Sequence, residues 1–162
     1  SIGQIESSGN HFECKSCGHK NFVNELSFFE TVEGEKLPFD NIRDWFSWQR
    51  EVFERFIESH FRKKTYAPLF TDENMEVYKE FNNKMEHMGT ATMTFYINRI
   101  LIKFNNGNQM EFRIEKIQAL NPQLRERIEI FYDNQAYRIT SKKPGISGLK
   151  WEIATNAIWQ LT

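Results

Sequence analysis

A chain of 162 residues with 40% hydrophobic content can bury one medium core, and its apolar share is heavily aromatic, with fifteen Phe, five Tyr and four Trp. A formal net charge of −1 with interspersed signs argues against a general electrostatic grip on DNA or RNA, so no nucleic-acid partner is expected. No run approaches the ~20 apolar residues of a membrane-spanning helix, and no signal-peptide pattern is present.

Ile2–Glu6 and His11–Cys14 read as short strands joined by Ser7-Ser8-Gly9-Asn10, a turn by composition. The segment His11-Phe-Glu-Cys-Lys-Ser-Cys-Gly-His19 reads as a strand entering a C-x-x-C-G turn and a strand leaving it, the knuckle of a zinc ribbon. The short loop lets Cys14 and Cys17 bind one ion, and Gly18 permits the turn that aims backbone amides at sulfur. Structural zinc takes four thiolate or imidazole ligands, and the chain has no other cysteine. Cys14 and Cys17 are therefore expected to be half of a zinc site. The other half lies outside the sequence, if Ser1 falls just after a first knuckle, or comes from a second copy in a zinc-sharing homodimer. His11 and His19 are the alternative completing ligands, with His19 awkwardly close to Cys17, and a Cys14–Cys17 disulfide is the alternative for metal-free protein.

Lys20–Phe29 continues the ribbon and Thr31–Lys36, with Gly34, reads as a loop. Asp40 or Asn41 then caps the clearest helix of the chain. Ile42, Trp45, Phe46, Gln49, Val52, Phe53, Phe56, Ile57, His60 and Phe61 follow helical spacing, which predicts a core-facing stripe. A membrane-contacting face is the rival reading, disfavoured because acids and bases mix on the polar side. Arg62-Lys63-Lys64 suits the negative helix end, and Pro68 prevents continuation.

From Met75 the pattern changes to short strands: Met75–Phe81, Lys84–Met88, Thr90–Asn98, Arg99–Phe104, Gln109–Ile114, Lys116–Leu120, Arg127–Tyr132 and Gln135–Thr140. Asn82-Asn83, Asn105–Asn108 and Asp133-Asn134 are turns, and this spacing predicts an antiparallel barrel or sandwich. After the loop Ser141–Gly148 a final helix runs from about Ser147 to Leu161. Trp45, Trp48, Phe53, Phe56, Trp151 and Trp159 are expected in the core.

Repeated antiparallel strands closed by one C-terminal amphipathic helix are the outline of a pleckstrin-homology (PH) or GRAM-like domain. The expected class is α+β: a zinc-ribbon-like β hairpin over 1–36, one long aromatic amphipathic helix over 37–66, and an antiparallel PH/GRAM-like β barrel closed by a C-terminal helix over 67–162. Lys142-Lys143, near the barrel mouth, are the candidates for contact with anionic lipid headgroups, against the plainer reading of a solvated loop. No phosphate-cradling Gly loop and no G-x-S-x-G elbow appears, and the carboxylates Glu73, Glu76, Glu80 and Glu86 read as scattered surface groups.

Four segments resemble one bacterial family in their order and spacing: Gly9-Asn-His-Phe-Glu-Cys-Lys-Ser-Cys-Gly18, Phe28-Phe29-Glu30, Leu37-Pro-Phe-Asp-Asn-Ile-Arg-Asp-Trp45 with Trp48-Gln49, and Ser147-Gly-Leu-Lys-Trp-Glu152. Together they are similar to the C-terminal extension of 1-acyl-sn-glycerol-3-phosphate acyltransferase-like proteins of the lysophospholipid acyltransferase family. The resemblance implies a parent acyltransferase domain upstream, with a first knuckle before the one seen here, and a cytoplasmic location at the inner face of the membrane. The family's catalytic H-x-x-x-x-D is absent: His11, His19, His60 and His87 are followed five residues on by Ser16, Asn24, Thr65 and Thr92. The resemblance therefore implies an accessory role in phospholipid biosynthesis with no catalytic residue of its own, and a zinc-ligand role for Cys14 and Cys17. The alternative is a protein-interaction module with a knuckle and no lipid role.

Overall fold

The computed structural model describes residues 5–33, 36–123, 127–141 and 147–162. It is a mixed α+β structure, mostly antiparallel strands with two helices. By contacts the chain divides into two compact units, Ser1–Val52 and Phe53–Thr162.

The first unit holds β1 (Ile5–Ser8), β2 (His11–Cys14), β3 (Lys20–Val23) and β4 (Phe29–Glu33), paired antiparallel in chain order. The turn before β2 is tighter than its composition suggests: Ser7 and Ser8 pair with Phe12 and His11, so Gly9-Asn10 alone reverses the chain. The strands bury one small aromatic cluster. Phe12 stacks on Trp45 at 5.3 Å, and Phe29 meets both edge-on at 5.3 and 5.6 Å. Such pairs contribute beyond their area of contact.

Helix α1 (Ile42–Arg62) starts in this unit and ends in the other. Of the two candidate caps the structure uses Asn41. Its Oδ1 accepts the Asp44 amide at 2.9 Å while its Nδ2 donates to the Asp44 carboxylate at 2.8 Å, satisfying an amide that the first turn leaves free. The expected apolar stripe is buried only toward the C-terminal end. Ile57 is fully buried and Phe53, Phe56 and Phe61 pack beside it, whereas Ile42, Phe46 and Val52 remain exposed. Trp48, expected in the core, is 45% exposed and leans on Phe39 at 5.2 Å. Trp45 already fills the space against Phe12 and Phe29, and four strands of four or five residues offer no second row of cover.

The second unit is built on β5 (Phe70–Phe81), β6 (Lys84–Phe95), β7 (Arg99–Phe104), β8 (Gln109–Arg113), β9 (Ile117–Gln123), β10 (Arg127–Tyr132) and β11 (Gln135–Ser141), with a 3-10 turn at Ile114–Lys116. The sheet runs β8-β7-β6-β5-β11-β10-β9 and curls as a half-barrel. Its turns follow local chemistry. Asn82 and Asn83, and Asp133 and Asn134, all take positive φ, the geometry a two-residue hairpin needs to match strand twist. Two bulges in the β5–β6 pair, between Asp72 and Met75 and between Val77 and Tyr78, let these twelve-residue strands bend.

The inward side chains Met75, Val77, Met93, Phe95, Ile100, Ile102, Phe112, Ile128, Ile130 and Ile139 form one continuous core. Helix α2 (Leu149–Trp159) closes it with Trp151, Ala154 and Ile158, packing on β9 and the 3-10 turn, and Trp159 Nε1 donates to the Ile114 carbonyl at 3.1 Å. Of the six aromatics expected inside, Trp151 is fully buried, and Phe53, Phe56 and Trp159 are partly buried against this core. The chain enters α2 at Gly148, where an added Cβ would lie 2.9 Å from the Arg127 carbonyl oxygen and 3.2 Å from Ile128 Cγ1. Backbone cannot give way as a flexible side chain can. Gly148→Ala is therefore expected to cost about 1–3 kcal/mol by forcing α2 off β10, read as a lower urea midpoint with unchanged slope. An unchanged midpoint would show that the helix entry is loose.

Candidate functional site

The C-x-x-C segment is a hairpin tip. Glu13 pairs with Lys20 across β2 and β3, and the Cys14 amide donates to the His19 carbonyl at 2.9 Å. Inside that frame the Gly18 amide donates to the Cys14 carbonyl at 2.7 Å, and Gly18 takes φ +73°, which a side chain would resist. The loop thus turns back on itself in four residues and brings Cys17 to Cys14. Both are free thiols, Cys14 half-buried and Cys17 exposed. The Cys17 thiol, and then the backbone amides of Cys17 and Ser16, hydrogen-bond the Cys14 sulfur and hold its pKa below the ordinary thiol value. Sulfur receiving backbone amides beside a second thiol is the donor set a soft, tetrahedral ion takes from one knuckle, so the residues fit half a zinc site.

Among the described residues no group of three or more His, Cys, Asp or Glu forms around these thiols. His11 lies on β2 with its ring 4.9 Å from that of Phe22. Lys15, between the two cysteines, is held by Glu6 at 3.0 Å and Glu13 at 3.6 Å. The hydrogen bond to Glu6, then the charge of Glu13, raise its pKa.

The other histidines are placed by packing. His60 Nδ1 is 2.8 Å from the Phe56 carbonyl one turn back, with its ring against Phe56 at 4.3 Å. The sequence shows no obvious nucleophile beside His87 and reads Glu76 as a scattered carboxylate; the structure brings the two together. His87 Nε2 lies 2.5 Å from Glu76 Oε2, Thr90 donates to Glu76 Oε1 at 2.9 Å, and Tyr78 lies beside the imidazole at 5.0 Å. The bulge makes this possible. Asn82-Asn83 aligns Tyr78 with His87, but the extra residue shifts the register to Val77 with Gly89 and Glu76 with Thr90. His87 and Thr90, three apart, thereby share a face that strict alternation would deny them. The order of contacts is not that of an activated nucleophile: the hydroxyl gives its proton to the carboxylate, and no hydroxyl–imidazole bond forms. The cluster fastens two strands.

A second polar group is buried beside Trp151. Asp72, nearly enclosed, accepts Lys150 Nζ at 2.6 Å on one oxygen and Trp151 Nε1 at 2.8 Å on the other. An open cleft of about 360 Å³ is lined by Met88, Phe104, Asn106, Asn108, Gln109 and Met110, none of them titratable. Lys142 and Lys143, the candidate lipid contacts, lie outside the described residues. Among the described residues no helix is long and apolar enough to cross a membrane.

No family model matches the chain. No curated protein matches it either. The crystal structure of the C-terminal domain of an unknown protein from Leishmania infantum is similar over 56% of this chain and 84% of that one, with 8% identity and a TM-score of 0.34. A likeness at that level implies no shared function.

Proposed function

We propose that this chain is a non-catalytic accessory region of a 1-acyl-sn-glycerol-3-phosphate acyltransferase-like protein of phospholipid synthesis. It joins a zinc-ribbon knuckle at Cys14 and Cys17 to a PH/GRAM-like sheet, and it organises the acyltransferase domain at the cytoplasmic face of the membrane. One observation carries the sheet half of this reading. In β8-β7-β6-β5-β11-β10-β9 a four-strand meander and a three-strand meander are joined through their first and last strands and closed by a C-terminal helix. That is the topology expected of a PH/GRAM-like domain. The acyltransferase link rests on the four sequence segments named above, and the knuckle supports the ribbon half.

Two features of the residues support the non-catalytic part. The chain has no H-x-x-x-x-D, and the His87–Glu76–Thr90 contacts leave no hydroxyl poised for attack. Incubated with an acyl thioester of coenzyme A and lysophosphatidic acid, the chain alone is expected to form no phosphatidic acid above the uncatalysed rate. Turnover would overturn the accessory reading.

The second reading is a protein-interaction module with no lipid role. It is favoured by the exposed apolar side chains of the Ser1–Val52 unit, among them Leu26, Phe28, Val32, Phe46 and Trp48.

A further inference from the structure

We infer that Arg99 and Arg113, side by side on the outer face of the sheet, form a binding site for one phosphate monoester group, free or carried by a lipid headgroup. The inference stands on the sheet alone and does not depend on the acyltransferase link.

The site begins with a register. β7 and β8 pair so that Arg99 lies directly opposite Arg113. Alternation sends Ile100, Ile102 and Phe112 into the core and leaves Arg99, Lys103, Glu111 and Arg113 on the outer face. Like charges directly opposite each other destabilise a sheet, and these two share a single carboxylate. Glu111 Oε2 lies 3.7 Å from Arg99 Nε, and its Oε1 lies 3.6 Å from Arg113 Nε. Both separations exceed that of a hydrogen bond. Among the described residues neither guanidinium donates a hydrogen bond to a side chain or a carbonyl. Arg99 is the more telling of the two. Its side chain is only 33% exposed, and a polar group covered to that extent ordinarily meets an acceptor.

Three features suit a phosphate monoester. Arg99 Cζ sits 4.5 Å from the centroid of the Tyr96 ring, which packs one side of the guanidinium and fixes its place. Two guanidiniums offer planar pairs of N–H donors to an anion with three terminal oxygens. The charge also matches. Exposed Lys103 lies on the same face, so the outer rows of β7 and β8 carry Arg99, Lys103 and Arg113 against Glu111 alone. That excess of two positive charges is what a monoester near its second ionisation balances. The neighbouring strand β6 adds no charge: Thr92 lies opposite Lys103 and Thr94 opposite Leu101. On the other side β8 is the edge of its sheet.

The test titrates the isotope-labelled chain with glycerol 3-phosphate at constant ionic strength and follows the arginine Nε–H resonances. In parallel the chain is sedimented with phosphatidylcholine vesicles carrying phosphatidic acid, a monoester, or the same content of phosphatidylglycerol, a diester. Saturating shifts at Arg99 and Arg113 with the soluble probe would support the site and identify free phosphate as its source. Pelleting with phosphatidic acid above phosphatidylglycerol would support it and identify a headgroup. In either case Arg113→Gln is expected to weaken binding about tenfold, and Glu111→Gln, which removes the competing carboxylate, to strengthen it. Arg113 is 58% exposed, so its replacement should leave the urea midpoint unchanged. No binding to either probe, or weaker binding by Glu111→Gln, would overturn the inference. Vesicle binding that survives Arg99→Gln with Arg113→Gln but falls with Lys142→Glu and Lys143→Glu would overturn it too, and would leave the membrane reading standing.

Discussion

Trp151→Ala is expected to lower the stability of the Phe53–Thr162 unit by about 3–5 kcal/mol, the range for deleting a fully buried aromatic. Trp151 is the largest side chain with no exposure, and it sits where α2 meets the sheet, edge-on to Phe70 at 4.8 Å and Phe95 at 5.8 Å. Alanine would leave a cavity that strands fixed by their own ladders cannot collapse to fill. It would also take from Asp72 the indole donor at 2.8 Å. Trp151→Phe separates these effects: it keeps most of the ring and removes only the N–H, and should cost about 1.5–3 kcal/mol, the range for a hydrogen bond to a charged group. Urea unfolding followed by circular dichroism reads both. Equal losses would show that the hydrogen bond dominates and packing contributes little.

Asp72→Ala should cost about 1–3 kcal/mol, because it leaves the buried Trp151 N–H without an acceptor, while Lys150, partly exposed, can turn to water. Asp72→Asn is the sharper test. Both partners are donors, so an asparagine with one oxygen can satisfy one of them and must turn its own NH2 toward the other. A loss close to that of alanine is therefore expected from replacing one carboxylate oxygen by NH2. Asp72 and Trp151 are in contact, so the losses in a double mutant should fall short of additive. Full additivity would contradict the shared network.

The contrast between what the sequence announces and what it hides has a physical cause in each case. The tight Cys14–Gly18 turn and the turns at Asn82-Asn83 and Asp133-Asn134 are legible because a few adjacent residues determine them. Strands β7 and β10 fall on their expected limits for the same reason: turns bound them and alternation fills them. β5, expected from Met75, begins at Phe70; Asp72 in its added part is bonded to Lys150 and Trp151, seventy-eight and seventy-nine residues away, contacts that no local pattern shows. β6 was expected as two strands broken at Gly89, but the glycine lies at a bulge inside one strand. The Glu76–His87–Thr90 cluster depends on that same bulge, a register shift that no local residue count predicts. Trp48 was misplaced because helical spacing says which side chains share a face and not whether anything covers it.

The membrane half of the account separates its two readings, and co-sedimentation tests it most directly. The chain would be mixed with vesicles of phosphatidylcholine alone and with vesicles containing phosphatidylglycerol, each at low and high salt. The account predicts pelleting with the anionic vesicles only, weakened by salt and by Lys142→Glu with Lys143→Glu, since each cation near such a surface contributes about 1 kcal/mol. A chain that stays in the supernatant with every vesicle would contradict the lipid-contacting role and leave the protein-interaction module in its place.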